Sequence, residues 1–176
     1  MRMILAIDVK YNEEEPTAKA VGVLFNRMDK MPERTIIKYV KNIHAYIPGL
    51  FYKRELPCIL EILKDVNLTD IEAIIVDGHV YIDNENNYGL GAHLWQNLNG
   101  AIAVIGVAKT EFRSNKETVI KVFRGESIKP LYVSAIGMSN IEAANIIKQM
   151  HGEYRMPTVL KEVDRLTKEE NVMPLS

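Results

Sequence analysis

Four side chains have the types and spacings from which chemistry can be built. Asp77 closes the run Ala73-Ile74-Ile75-Val76-Asp77-Gly78-His79, where four apolar residues, three of them β-branched, meet an aspartate and then a glycine. An unbroken apolar run this short reads as a strand buried on both faces. Asp-Gly turns the chain where the run stops. Asp77 then sits at the carboxyl end of a central strand, where open α/β sheets place their ligands. Taken alone, it reads more simply as a turn residue. Asp8 stands in the same way near the end of Met3-Ile4-Leu5-Ala6-Ile7-Asp8-Val9. As parallel neighbours, two such strands would lie about 4.8 Å apart, and their carboxylates could share one cation. Two or three acidic groups with open water positions suit Mg²⁺, which keeps part of its hydration shell. Glu55 is a candidate third ligand on the helix between the two strands, although its spacing also fits a solvated helix residue. Lys109 ends a further strand over the same edge. An ammonium there can hold a phosphate or neutralise a developing oxyanion, and the plainer reading is a surface lysine.

Other chemistries find little support. His79 and His93 lack metal-ligand spacing and read as structural or hydrogen-bonding residues. Gly89-Leu90-Gly91 does not directly follow a strand, and Leu94 occupies the place of the third glycine of a dinucleotide fingerprint. No G-x-S-x-G elbow is present. The single cysteine, Cys58, rules out an internal disulfide framework and any multi-cysteine metal site. It falls in a helical apolar pattern and reads as a small core residue.

The elements that must position these groups follow from periodicity. After the first strand, Asn12 to Pro16 is a polar turn. Ala18 to Phe25 and Arg34 to Val40 are strands, giving an antiparallel meander. Leu50 to Lys64 has helical spacing, with Pro57 expected to kink or restart it. Asn67 to Asp70 then returns the chain to the central strand as a strand–helix–strand crossover. Leu90, His93, Leu94 and Leu98 mark a second helix. Ala101 to Val107 is another buried strand, and Thr118 to Phe123 and Leu131 to Ala135 are two more. Asn140 to Met150 is a helix, with Ile141, Ala144, Ile147 and Lys148 at helical intervals. Pro157 to Lys168 is a mostly charged final helix, and a frayed tail is expected from about residue 169.

At 176 residues the chain is expected to be one domain, residues 1–176. With 47% hydrophobic and 26% charged residues it falls in the soluble globular class. A net charge of -1 provides no global basic field, so a nucleic-acid site must be a local patch. No signal peptide and no membrane-spanning run is visible. The expectation is a cytoplasmic monomer that does not bind membranes.

Several blocks together resemble the endonuclease V family. They are Ala6-Ile7-Asp8-Val9-Lys10-Tyr11, Tyr46-Ile47-Pro48-Gly49-Leu50 through Lys53-Arg54-Glu55, Val76-Asp77-Gly78-His79, Gly89-Leu90-Gly91-Ala92-His93-Leu94 and Ile105-Gly106-Val107-Ala108-Lys109. They come in the family's order and spacing, and the likeness extends through Tyr154-Arg155-Met156-Pro157. The resemblance implies an α/β fold of ribonuclease H type, a mixed sheet flanked by helices. It also implies Mg²⁺-dependent cleavage, with Mn²⁺ as a substitute, of DNA or RNA near an inosine, in nucleic-acid repair or processing. Carried over by position, Asp8, Glu55 and Asp77 match the acidic metal-site residues, and Lys109 matches the active-site lysine. Tyr46-Ile47-Pro48 matches a strand-parting wedge. Gly49, His79 and Gly89 fall in the blocks expected to contact nucleic acid.

The chain departs from the family in three ways. A histidine expected in a Gly-His near the start of the last core helix is replaced by Gly137 or by Met138, according to the register chosen, which predicts weakened cleavage. The loop after Asp-Gly-His, normally basic, reads Asp83-Asn84-Glu85-Asn86-Asn87, which should weaken phosphate contact. The leading helical segment of longer members is not seen. The alternatives are a divergent, non-catalytic binder of nucleic acid or protein, and an enzyme acting on a small phosphorylated molecule.

Overall fold

The computed structural model describes residues 2–12, 14–41, 51–112 and 114–169. The Tyr46, Ile47, Pro48 and Gly49 assignments therefore lie outside the described residues, as does the chain from residue 170.

Three strands open the fold as an antiparallel meander: β1 (Met3–Asn12), β2 (Thr17–Phe25) and β3 (Arg34–Lys41). Helix α1 (Phe51–Leu63) and a short 3-10 turn lead into β4 (Ile71–Asp77), which pairs parallel with β1. Helix α2 (Leu90–Asn97) leads to β5 (Ala103–Ala108), parallel to β4. Two antiparallel strands follow, β6 (Ile120–Val122) and β7 (Leu131–Ile136). Helices α3 (Asn140–Gln149) and α4 (Thr158–Lys168) end the described chain. The sheet is mixed and seven-stranded, in the order β3-β2-β1-β4-β5-β7-β6. Among the described residues, no helix is long and apolar enough to cross a membrane.

The continuous apolar runs are explained by a sheet covered on both faces. Along β1, Leu5 and Ile7 enter one core with Cys58, Ile59 and Ile62 of α1 and Leu90 and Leu94 of α2. Ile4 and Ala6 enter the other with Ala143, Ile146 and Ile147 of α3 and Val159 and Val163 of α4. Fully burying each such aliphatic side chain contributes about 1.5–3 kcal/mol. The same alternation decides where the acidic residues go. Asp8 continues the parity of Ile4 and Ala6, and Asp77 that of Ala73 and Ile75, so both lie on the face covered by α3 and α4.

Two local features refine the sequence reading. Helix α1 runs unbroken through Pro57 and does not restart there. Pro57 is on the solvent side, where the carbonyl it cannot pair with is free to bond water. In α3 the buried stripe is Ala143, Ala144, Ile146 and Ile147, while Ile141 is 68% exposed. The helix begins at the Ser139 cap, whose hydroxyl accepts from the Glu142 amide at 3.1 Å, and that start fixes its phase.

Gly106 on β5 connects the fold to the strand ends. A Cβ there would lie 2.6 Å from the Gly78 carbonyl oxygen, 3.0 Å from the Ser134 Oγ and 3.0 Å from the Val80 nitrogen. The turn that carries the chain away from Asp77 thus rests directly on a bare backbone. Gly106→Ala is expected to destabilise the fold by about 1–3 kcal/mol, the usual cost of overpacking. Urea melts check this, and an unchanged midpoint would remove Gly106 as the seat of the turn.

Candidate active site

The parallel pairing of β1 and β4 sets Ile7 opposite Val76. One residue further, Asp8 and Asp77 stand side by side where the parallel pairing stops: Asp77 closes β4, whereas Asp8, expected at a strand end, lies inside β1, which continues to Asn12 against β2. They line a cleft of about 240 Å³ together with Lys109 from the end of β5 and Leu160, Lys161 and Asp164 from α4. Asp8 is tied locally: its Oδ1 accepts from the Val9 amide at 2.9 Å. Burial, and then repulsion from Asp77, push the Asp8 carboxyl up to about 7. Asp77 is also raised by burial, with the Lys109 ammonium pulling the other way.

Glu55 reaches the same strand ends from α1, on the opposite face of the sheet. It is only 4% exposed, and its Oε2 has no hydrogen-bond partner among the described residues. Burial raises it well above the usual carboxylate range, and Asp77 and Asp8 add to the effect. A buried, unpartnered carboxylate oxygen beside two repelling aspartates fits an oxygen-ligated divalent cation. Among the described residues no group of three or more His, Cys, Asp or Glu side chains is placed to hold a metal ion.

The remaining sequence candidates all make contacts within the fold. His79 is buried: its Nε2–H donates to the Thr110 carbonyl at 2.8 Å and its ring packs on Phe112 at 4.6 Å. Burial lowers its pKa, with the Thr110 hydrogen bond and the Asp77 carboxylate pulling the other way. Gly89 caps α2, and a Cβ there would lie 2.8 Å from the His79 carbonyl oxygen. His93 stacks on Tyr52 at 3.6 Å, joining α1 to α2. Asp83 closes its own loop, its Oδ1 accepting from the Glu85 and Asn87 amides at 3.0 and 3.1 Å.

The sequence model of the endonuclease V family matches residues 1–165. The chain belongs to the endonuclease V family. The endonuclease V of Pyrococcus horikoshii is 31% identical over 170 residues, covering 96% of this chain and 74% of the relative. The endonuclease V of Ciona intestinalis has been solved in complex with a 24mer DNA containing an inosine followed by a ribo-adenosine. It matches with a TM-score of 0.77 at 19% identity, over 95% of this chain and 84% of that one. Endonuclease V from Bacillus subtilis gives 0.78 at 18% identity, over 96% and 80%. These structures establish the fold, which is ribonuclease H-like.

Within this endonuclease V fold, two sequence inferences change. Gly137 and Met138, where a histidine was expected, are far from the cleft. A Cβ on Gly137 would meet the Ala103 Cα at 2.9 Å, at the start of β5. Asp77 pairs with Val107, about 13 Å further along that strand at roughly 3.3 Å per residue. Methionine in place of histidine therefore leaves the strand-end site untouched, and the reason for expecting weakened cleavage falls away. Conversely, sequence reasoning missed Asp164. Its only signal was its place four residues after Leu160 and next to the buried Val163 on α4.

The raised Asp8 carboxyl gives the metal-free protein a defined pH dependence. The folded state holds this proton more tightly than the unfolded chain. The associated stability is complete below about pH 4 and is lost as pH rises through about 7. Asp8→Asn is therefore expected to raise the Tm in chelator at about pH 8, by about 2–4 °C for each kcal/mol of repulsion relieved. It should leave the Tm unchanged at about pH 4. Thermal melts at both pH values test this, and a Tm that fails to rise at the higher pH contradicts the repulsion.

Proposed function

We propose that this chain is a metal-dependent endonuclease that cleaves DNA or RNA near an inosine base, in nucleic-acid repair or processing. The observation that carries the reading is the pair Asp8 and Asp77 on adjacent parallel strands, with Asp164 and Lys109 in the same cleft. The Ciona relative's complex with inosine-containing DNA supports the substrate class.

Asp8 and Asp77 would hold Mg²⁺ or Mn²⁺, with Glu55 supplying its unpartnered Oε2. Bound there, such an ion neutralises phosphate charge and lowers the pKa of water. Lys109 sets its ammonium over the same strand edge, close enough to act on Asp77, and offsets charge that develops on the phosphate. Asp164 faces the cleft from α4 and serves as a base that orients the attacking water. Arg155 fixes the lysine's backbone: its Nη2 donates to the Lys109 carbonyl at 2.5 Å and to the Pro130 carbonyl at 2.6 Å.

A non-catalytic binder is the second reading, favoured by the acidic loop at Asp83–Asn87, which turns its charge into its own hydrogen bonds. End-labelled inosine and control oligonucleotides, DNA and RNA, single- and double-stranded, separate the two. Cleavage is expected with Mg²⁺ or Mn²⁺, lost in chelator and lost in Asp77→Ala. Lys109→Ala is expected to slow single-turnover cleavage by about 10²–10³-fold, as for removal of a charge-stabilising donor. Met138→His is expected to change nothing. Binding without cleavage under all metal conditions would select the non-catalytic reading.

The cation should also appear in stability. Mg²⁺ is expected to raise the Tm more at about pH 8 than at about pH 5, because it binds the ionised carboxylates that repel one another without it. Equal shifts at both pH values would place the ion elsewhere.

A further inference from the structure

We propose that Tyr154, with Lys161, forms a rigid platform on which one base of the bound strand stacks beside the acidic cleft. The inference rests on the nuclease reading above and adds a place where the strand is gripped away from the reacting phosphate. Tyr154 is 66% exposed. The Lys161 Nζ lies over its ring, 4.2 Å from the centroid. Lys161 itself lines the cleft, next in sequence to Leu160 and three residues before Asp164. The aromatic ring is therefore continuous with the candidate active site, and the cation beside it is complementary to a phosphate backbone.

The loop under Tyr154 is built to stay still. Arg124 is only 4% exposed, and its guanidinium is spent on that loop's backbone. It donates to the carbonyls of Met150 at 2.6 Å, Gly152 at 3.2 Å, Tyr154 at 2.6 Å and Arg155 at 3.4 Å. A buried cation is costly unless its donors are satisfied, and here Nη1 and Nη2 are satisfied by a surface segment, while Nε has no partner among the described residues. Gly125 has φ +58°, and a Cβ there would lie only 1.9 Å from the Glu153 carbonyl oxygen, so the β6–β7 connection lies directly against the loop. On the other side, Arg155 bonds the Lys109 carbonyl. The position of Tyr154 is thereby fixed relative to the lysine at the cleft. A pre-positioned ring loses little freedom when a base stacks on it. Such stacking tolerates any base sequence because every base has a π-face.

The test measures anisotropy of a labelled single-stranded inosine oligonucleotide in chelator, alongside KM and kcat in Mg²⁺. Tyr154→Ala is expected to weaken binding and raise KM by about 5- to 100-fold, the range that stacking on an aromatic ring supplies, with kcat little changed. Tyr154→Trp should bind like the wild type. An abasic scan of the strand provides a readout that loop damage would not move. One abasic position should weaken wild-type binding as much as Tyr154→Ala does, and the variant should be insensitive at that position. Lys161→Gln should reduce the salt dependence of binding by about 0.7 in log–log slope, one phosphate on a single strand. Ile141→Ala, an exposed change on α3, should match the wild type throughout. Wild-type affinity in Tyr154→Ala would overturn the platform, as would equal sensitivity of wild type and variant at every abasic position. A wild type that binds no strand would overturn it too. A wild type that binds and shows the abasic signature but never cleaves would support the platform and defeat the nuclease reading instead.

Discussion

The site depends on one pairing, the parallel register of β1 against β4. Once Ile7 lies opposite Val76, the next residue on each strand is an aspartate, and strand alternation turns both toward the same covered face. No loop or flexible side chain has to bring them together. Two carboxylates in this position repel one another, and burial strengthens the repulsion by removing water that would screen it. The fold holds them there because the apolar residues behind them, Ala6 and Ile7 on one strand and Ile75 and Val76 on the other, cannot shift without emptying both cores. The acidic cluster is thus strained locally and enforced globally, the arrangement expected where binding a cation relieves the strain.

The surroundings of the cleft extend the same rigidity outward. The chain leaving Asp77 crosses Gly106 at a distance that excludes any side chain. Ser134, fully buried on β7, accepts the Val80 amide at 3.1 Å. On the far flank, two arginines are used as backbone clamps and not as surface charges. Arg124 gathers the carbonyls of the segment before α4, and Arg155 joins that segment to the end of β5. Helix α4, which brings Asp164 and Lys161, is anchored by Val159 and Val163 in the core it shares with β1. Each group facing the cleft therefore comes from an element whose backbone is tied to its neighbour.

Much of this was legible in the sequence because it depends on short, nearly local patterns. The apolar runs that lead into Asp8 and Asp77 announce strands buried on both faces, and their order along the chain permits the parallel pairing, although β1 continues past Asp8 to Asn12. Lys109 was legible for the same reason. Glu55 could be placed on a helix, but its burial could not, since a solvated glutamate has the same spacing. Asp164 was hidden among Lys161, Glu162 and Arg165, which resemble it in polarity. Only the packing of α4 across the sheet distinguishes the one carboxylate that faces the cleft. Gly137 and Met138 show the converse error. A linear match placed them in the site, whereas β7 runs antiparallel to β5 and delivers them to its other end. Position along the chain is a poor guide to depth in a mixed sheet until strand direction is known.

The composition of the cleft limits how a nucleic acid can be held. The groups around the reacting centre offer oxygen donors, the set that favours hard cations over zinc. The loop that would carry basic residues instead folds Asp83 onto its own amides. The whole chain carries a net charge of -1, so there is no broad positive field to draw a polyanion in from a distance. Among the described residues, Lys109 and Lys161 bring positive charge into the cleft. Long-range attraction being weak, affinity must come from contacts made only at close range, and an exposed aromatic ring on a clamped loop is a contact of that kind. On the proposed nuclease reading, a site built this way would gain more from an unstacked base than from long-range attraction, and would favour strands that are already single or locally opened, where unstacking costs least.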